Sequence, residues 1–533
     1  MQWVSTKDWG IHSPEQGASA IDIAHSQQHY QRFVSGLNTA ARTQDEVLAR
    51  LIERGRGTAF GLEHGFEHID SLADFRSRVP LRNYDELRPY IDRIVAGERD
   101  VLFPGDVFRF ISSSGSSAGR AKVLPLPRAY FAEAFNPFYL TYLEGTMRAH
   151  PGLMATRDLT INFKWDPLRD TSVLNSGVPH VGLSQVNLSN EFGSEALLEP
   201  GTQGPWATVP ANIAADLERL YFRLRMAAGH DIRQLVGINP AILAAIPHLL
   251  EANAERLCAD IAAGTFAGRP VTAPDPALAA QVAARRAARG RLLPADVWPR
   301  VERLICWDEG IAGVYLPQLL ADYGADVVVV PAPLAASEAP LALPLLPEGL
   351  RGVMAYNAAF YEFIDVQAGT TQMPLRLDEL REGACYAVVV TQAAGFCRYV
   401  LGDLLEVTGH AGEVPTVTYA GRLTPASTVP ESALLRFMRR YGAAHDLRVR
   451  NFTFVPAAGG TLDLLLACDD AQDAVIHEAT LRQAYAADAA LVSAPLGEIR
   501  RVPPTYFAQE WCDRVAAGLR PPQVKDRIVS PAR

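Results

Sequence analysis

Three stretches of this chain collect residue types that handle phosphate, metal and ribose. The first is Ser112-Ser-Ser-Gly-Ser-Ser-Ala-Gly-Arg-Ala-Lys122. Small residues let backbone N–H groups and hydroxyls close around phosphate oxygens, and a terminal lysine adds charge. The Gly-Lys-Ser/Thr ending of a Walker A loop is absent. The second is Ser337-Glu338, a short loop beyond the apolar run Asp326-Val-Val-Val-Val330. Open α/β sheets bind ligands beyond the carboxyl ends of their strands, and a glutamate there can hold Mg²⁺ on a triphosphate. The third is Arg398-Tyr-Val-Leu-Gly-Asp403, where a carboxylate after glycine at a strand end could chelate two ribose hydroxyls. Taken singly, each also reads as an ordinary solvated loop or turn.

Other candidates carry less. Glu63-His64-Gly-Phe-Glu67-His68 contains the zinc pattern HxxEH, but Gly61 and Gly65 flank it and no convincing helix puts both histidines on one face. His25 and His29 are four apart and lack the intervening glutamate. Arg285, Arg286, Arg289 and Arg291 read as one solvated helix face among alanines. There is no GxSxG elbow for a serine nucleophile.

The elements that must position these residues follow from periodicity. Apolar residues at helical spacing predict helices over 14–60, and an aromatic-rich helix over 128–148. Val107 to Ile111 alternates as a strand feeding the Ser/Gly loop. Helices alternate with the apolar strands Leu235-Val-Gly-Ile, Arg303-Leu-Ile-Cys306 and 326–330, which predicts a parallel sheet; Asn239-Pro240 opens a helix. From Tyr386 the pattern turns to hairpins: 387–390, 398–408 and 415–420. The last stretch holds a hairpin (449–455, 462–467), two helices and a tail. A boundary near Tyr419-Ala-Gly-Arg422 divides a large domain, 1–418, from a small α+β domain, 419–533.

Composition bounds the partners. The 533 residues are 48% apolar and 20% charged, which fits a globular chain of several domains. A net charge of -9 speaks against nucleic acid. No apolar run reaches bilayer length, and the N-terminus is no secretory signal. Six cysteines without a CxxC pair indicate neither zinc nor a disulfide framework, so a reducing cytoplasm is expected.

In combination and in order, the Ser/Gly loop, Ser337-Glu338 and Cys397-Arg-Tyr-Val-Leu-Gly-Asp403 resemble the auxin-responsive Gretchen Hagen family of acyl-acid amido synthetases, a branch of the adenylate-forming enzymes. Phe75 to Glu98, Phe360-Tyr-Glu-Phe363 and Gln523-Val-Lys-Asp-Arg527 match as well. The resemblance implies an α/β adenylate-forming fold: a large N-terminal domain of β-sheets, a β-barrel and flanking helices, and a small mobile C-terminal domain. It implies ATP and Mg²⁺, a small carboxylic acid converted to an acyl-adenylate, and an amine, such as an amino acid, that takes the acyl group as AMP leaves. By position, Ser113, Ser114, Gly115, Ser116, Ser117 and Lys122 would hold phosphates and Ser337 would adjoin the nucleotide. Glu338 would bind Mg²⁺, Asp403 the ribose, Arg422 would lie near hinge and nucleotide, and Lys525 would reach the α-phosphate. The related alternatives are acyl transfer to a thiol and a nucleotide-binding relative without catalysis.

Two departures are visible. The family's adenine-stacking aromatic is replaced by Leu334, and Phe135 to Glu144 has no Lys or Arg where plant members often present a base to the acid. The richness in Ala and Arg reads as bacterial rather than plant. The acid, the amine, the second-step general base and the oligomeric state have no local motif.

Overall fold

A computed structural model of the chain describes residues 23–112, 122–156, 159–163, 172–174, 177–182, 204–207, 209–210, 212–366, 373–423, 429–468, 474–521 and 524–530. Two helices, Ile23–Ser35 and Ala40–Gly55, fill the described part of the expected N-terminal helical region. Helix Tyr84–Val95 starts at a capping box in which Asn83 and Glu86 satisfy each other's backbone N–H groups. It buries Leu87, Tyr90, Ile91 and Ile94, one helical face.

The parallel sheet expected from alternating helices and strands is present. Its four strands lie in the order Val328–Pro331, Arg303–Cys306, Gln234–Val236, Thr160–Asn162, all parallel. Helix Pro240–Ala252 begins as the sequence expects, with proline in its first turn and the Asn239 side chain accepting from the Ala241 N–H. The hairpins form an eight-stranded sheet, antiparallel throughout and ordered Leu334–Ala335, Pro340–Leu345, Leu350–Met354, Val414–Arg422, Tyr399–Ala411, Cys385–Thr391, Phe360–Asp365, Leu375–Arg376. A third sheet contains Arg109–Ser112 paired antiparallel with Val123–Leu126, so Ser112 and Val123 lie side by side at the two ends of the Ser/Gly loop.

After Arg422 the chain leaves the eight-stranded sheet. Helix Glu431–Ala444 and the strands Val449–Pro456, Leu462–Cys468 and Leu496–Val502 build a small body around Leu434, Phe437, Phe454, Leu464 and Tyr485. Helix Tyr506–Ala516 then crosses back: Phe507 packs on Leu465 and Ala467 of the small sheet, while Trp511, Cys512 and Val515 enter the core of the parallel-sheet body. Residues 524–530 run between the two. Val524 lies in the large core and its carbonyl accepts from Asn239 Nδ2 at 2.7 Å. Ile528 and Val529 lie in the small core, and Phe454 N–H donates to the Ile528 carbonyl at 2.7 Å.

The discounted motifs remain structural. His64 uses one ring nitrogen on the Phe60 carbonyl and the other on Arg82, and Gly65, at a φ of 61°, breaks the helix the zinc pattern requires. Arg286, Arg289 and Arg291 pair with Glu251, Asp296 and Asp322, and Arg285 bonds the Asp296 carbonyl, so the face expected to be merely solvated is laced to its neighbours. All six cysteines are free. Among the described residues, no helix is long and apolar enough to cross a membrane.

Candidate active site

Lys122 immediately precedes the strand Val123–Leu126, and its ammonium is a junction. Nζ donates to Glu338 Oε1 at 3.0 Å and to Tyr399 OH at 2.8 Å, while the Tyr399 hydroxyl donates to the same Oε1 at 3.2 Å. Tyr84 fixes the adjoining backbone: its hydroxyl accepts from Val123 N–H at 2.8 Å and donates to Val123 O at 3.0 Å. The rings of Tyr84 and Tyr399 flank the ammonium, their centroids 5.6 and 5.5 Å from Nζ. Burial, reinforced by Glu338, pushes the Tyr399 phenol well above its ordinary pKa, so it stays protonated and can donate.

Glu338 is buried in the turn between Leu334–Ala335 and Pro340–Leu345. Ala336 N–H closes that turn onto the Ala339 carbonyl at 2.9 Å, and Gln392 Nε2 holds the Glu338 carbonyl at 3.1 Å. Ser337 beside it is half-buried, as is Leu334.

Asp403 and Arg422 face each other as register partners on adjacent antiparallel strands, and Arg422 Nε donates to Asp403 Oδ1 at 2.9 Å. Asp403, more than any other neighbour, raises the Arg422 pKa. Two glycines make the geometry possible. Gly402 has a φ of 83°, and its carbonyl accepts from Leu423 N–H at 2.8 Å. At Gly421, with φ 114°, a Cβ would lie 2.5 Å from Glu431 Oε2. That carboxylate accepts from Arg422 N–H at 3.2 Å and Val529 N–H at 3.1 Å, tying the exit of the large sheet to the C-terminal segment. Burial pushes its pKa up, against those two bonds.

Lys525 reaches this place from the C-terminal segment. It is solvent-exposed on one side and crowded by protein on the other. The crowding pushes its pKa below the usual lysine value; Asp403 and Glu338 pull it up and Arg422 pushes it down. The structure thus brings Lys122, Glu338, Asp403, Arg422 and Lys525 together. Ser113, Ser114, Gly115, Ser116 and Ser117 lie outside the described residues.

Asp526, next to Lys525, joins both bodies. Its Oδ2 accepts from Tyr315 OH of the large body and from Asn451 Nδ2 of the small one, the latter at 2.8 Å. Arg514 Nη1 lies 3.9 Å from its other oxygen. Burial pushes the carboxyl up to about 7 despite these donors. A carboxyl raised in the folded state binds its proton more tightly than in the unfolded chain. Its contribution to stability is therefore full below about pH 4, the unfolded value, and is lost as pH rises through about 7. Denaturant midpoints of the parent relative to Asp526→Asn should fall between about pH 4 and about pH 7 and level off above that. A flat difference would show that the carboxyl is not buried this way in solution.

No sequence motif assigns a role to Tyr84, Tyr399, Glu431 or Asp526. Tyr84 and Tyr399 lie inside the Phe75 to Glu98 and Cys397 to Asp403 motifs, and the tyrosine next to Arg398 was the available signal. Glu431 and Asp526 act through long-range contacts that have no local signature. The helical stretch after the Ser/Gly loop runs Arg128–Tyr130, a π-turn at Phe131–Phe135, then Asn136–Ala149. Its one basic residue past Phe135, Arg148, is engaged by Glu144 at 2.8 Å.

The donor set suits a hard cation borne by a polyphosphate. Among the described residues no three His, Cys, Asp or Glu side chains converge on a metal position. Glu338 would supply one protein carboxylate, which matches Mg²⁺ sites that keep waters and substrate phosphates as their other ligands.

Comparisons with known proteins agree with this architecture. Residues 29–328 match the model described as the GH3 family N-terminal domain, and residues 352–422 the GH3 family central domain. The indole-3-acetic acid-amido synthetase GH3.8 of Oryza sativa subsp. indica is 26% identical over 448 residues, covering 79% of this chain and 72% of that protein. The 4-substituted benzoates-glutamate ligase GH3.12 of Arabidopsis thaliana is 23% identical over 405 residues, covering 71% and 68%. Among solved structures, the GH3.15 acyl acid amido synthetase superposes with a TM-score of 0.75 at 19% identity, over 97% of this chain and 95% of that one. That likeness shows the adenylate-forming fold.

Proposed function

The chain belongs to the GH3 family, and from that premise we propose that it is an ATP-dependent acyl-acid amido synthetase. It activates a small carboxylic acid as an acyl-adenylate, releasing pyrophosphate, and passes the acyl group to an amine such as an amino acid, releasing AMP. The observation that carries this reading is the convergence of Lys122, Glu338, Asp403, Arg422 and Lys525, from widely separated parts of the chain, on one site. The names of the curated relatives support it.

The first step joins a carboxylate to a polyanion, so like charges must be brought together. Lys122, held by Tyr84 and Tyr399, and the hydroxyl-rich loop that precedes it would receive the phosphates. Glu338 would hold Mg²⁺, whose charge would offset the phosphates when bound. Asp403 would accept from the ribose hydroxyls while Arg422 keeps it oriented, and Lys525 would face the α-phosphate. Ser337 and the loop residues Ser113 to Ser117 complete the nucleotide site in this reading. No covalent enzyme intermediate is needed. The body after Arg422, where the chain leaves the eight-stranded sheet, acts as the small domain that closes over the nucleotide. The Ala- and Arg-rich composition supports reading the chain as a bacterial member of the family.

Screening carboxylic acids for acid-dependent ATP–pyrophosphate exchange tests the first step, and AMP release that depends on added amine rather than thiol tests the second. Exchange with no acid in a broad panel would count against the proposal. Asp403→Ala should raise the KM for ATP about tenfold to a hundredfold, the worth of a charged acceptor hydrogen bond, and leave the acid's KM much less changed. An unaltered ATP KM would remove Asp403 from the ribose site.

A further inference from the structure

The chain carries 50 Lys and Arg, of which only four are lysine: Lys7, Lys122, Lys164 and Lys525. Two of the four meet in the site just described. Lys122 has a carboxylate and two tyrosines around it. Lys525 is held differently. Its Nζ lies 4.8 Å from the centroid of the Trp307 ring, and among the described residues no carboxylate pairs with it directly. Trp307 stands at the carboxyl end of the Arg303–Cys306 strand in the parallel sheet. Its backbone N–H donates to the Ile238 carbonyl at 2.8 Å, and its indole N–H donates to the Pro333 carbonyl at 3.0 Å. The ring is therefore fixed at both ends by the large body. Lys525 comes from the C-terminal segment, its own carbonyl held by Arg514 Nη1 at 3.2 Å.

We infer that Trp307 is a positioning residue for Lys525: a π-face cradle that seats the ammonium over the nucleotide site without neutralising it. The inference rests on the adenylation role proposed for Lys525. A lysine stem has several rotors and loses much freedom when its head is placed. A carboxylate partner would place it but would cancel the charge and occupy its N–H donors. An aromatic face attracts the cation through its quadrupole and leaves all three N–H groups free for phosphate oxygens. It also favours the protonated form, against the crowding that pushes the Lys525 pKa down.

The scarcity of lysine makes the contact directly readable. Reductive ¹³C-methylation of the purified full-length protein labels four lysines and the N-terminus. The Lys525 signal, assigned by its loss in Lys525→Ala, should be shifted upfield by the indole ring current. Both the upfield shift and the contact should vanish in Trp307→Leu and persist in Trp307→Phe. In acid-dependent pyrophosphate exchange, with the acid found by the panel, Trp307→Leu should lower kcat on the order of 3- to 30-fold, with the ATP KM within about twofold of the parent. The alkaline limb of its pH profile should move to lower pH, Trp307→Phe should restore most of the rate, and Trp307→Leu should add nothing in a Lys525→Ala background. A Lys525 signal without ring-current shift, or a raised ATP KM with kcat intact, overturns the inference; the second result would make Trp307 a nucleotide-binding ring instead. If Lys525→Ala itself exchanges at the parent rate, the adenylation reading of Lys525 fails, whatever the spectrum of Trp307→Leu shows.

Discussion

Lys525→Ala should cut acid-dependent ATP–pyrophosphate exchange by ~10²–10³ and leave the second half-reaction close to parent. The loss is that expected for a donor aimed at charge developing in a transition state. In adenylation the charge builds at the α-phosphorus as the acid attacks and pyrophosphate departs. Once the acyl-adenylate exists, the reacting centre is a carbonyl, and no charge is building at phosphorus for Lys525 to meet. A chemically prepared acyl-adenylate plus amine should therefore still give amide. Lys525→Arg should not fully rescue exchange, because a planar guanidinium cannot place a compact point charge at the same spot. If both half-reactions fall together, Lys525 holds the two bodies in register and its role at the α-phosphate is wrong. If neither changes, it is a solvated tail lysine.

Glu338→Gln should cost ~10²-fold or more in exchange and raise the Mg²⁺ concentration needed for half-maximal rate. Several kcal/mol of charge stabilisation depend on a correctly held cation in reactions of this type. The substitution keeps the size and one oxygen acceptor of the side chain. Lys122 retains Tyr399 at 2.8 Å, and the turn keeps its backbone bond from Gln392, so the site should stay assembled. A thermal unfolding midpoint near that of the parent, with exchange measured across a Mg²⁺ titration, separates loss of the cation from loss of the fold. Exchange within a few-fold of the parent at limiting Mg²⁺ would take Glu338 out of the site.

Glu338 and Asp403 could be found in the sequence because each sits where chain punctuation and chemistry coincide. Glu338 follows the apolar strand Val328–Pro331, although it sits one strand further on, in the turn from Leu334–Ala335 to Pro340–Leu345. Asp403 follows a glycine of positive φ, although it lies inside the strand Tyr399–Ala411 and not at a strand end. The parallel sheet was legible for the same reason: its strands are short apolar runs between helices with clear starts, as at Asn239-Pro240. Tertiary contacts left no such trace. Trp307 meets Lys525 and Asn451 meets Asp526 only through the fold. Helix Tyr506–Ala516 shows an apolar face, but periodicity does not say that Trp511 and Cys512 fill one body while Phe507 covers another. The arginines from 285 to 291 were legible as a helix face, yet their partners Glu251 and Asp322 lie too far along the chain to be guessed.

The helix Tyr506–Ala516 has a mechanical meaning. Because it is rooted in the large core, the small body is not a flap hung from one edge. It is a panel tied to the large body at several places, among them the exit after Arg422, the helix itself, Val314 in the small core and the return through 524–530. Lys525 stands beside one of them, one residue past Val524 in the large core and three before Ile528 in the small one. On such a mount, Lys525 would leave the nucleotide by local backbone rotation between Val524 and Ile528, not by being swept away with the panel. A bulky or rigid residue at Asp526 or Arg527 would then jam the turn while the panel itself stayed intact.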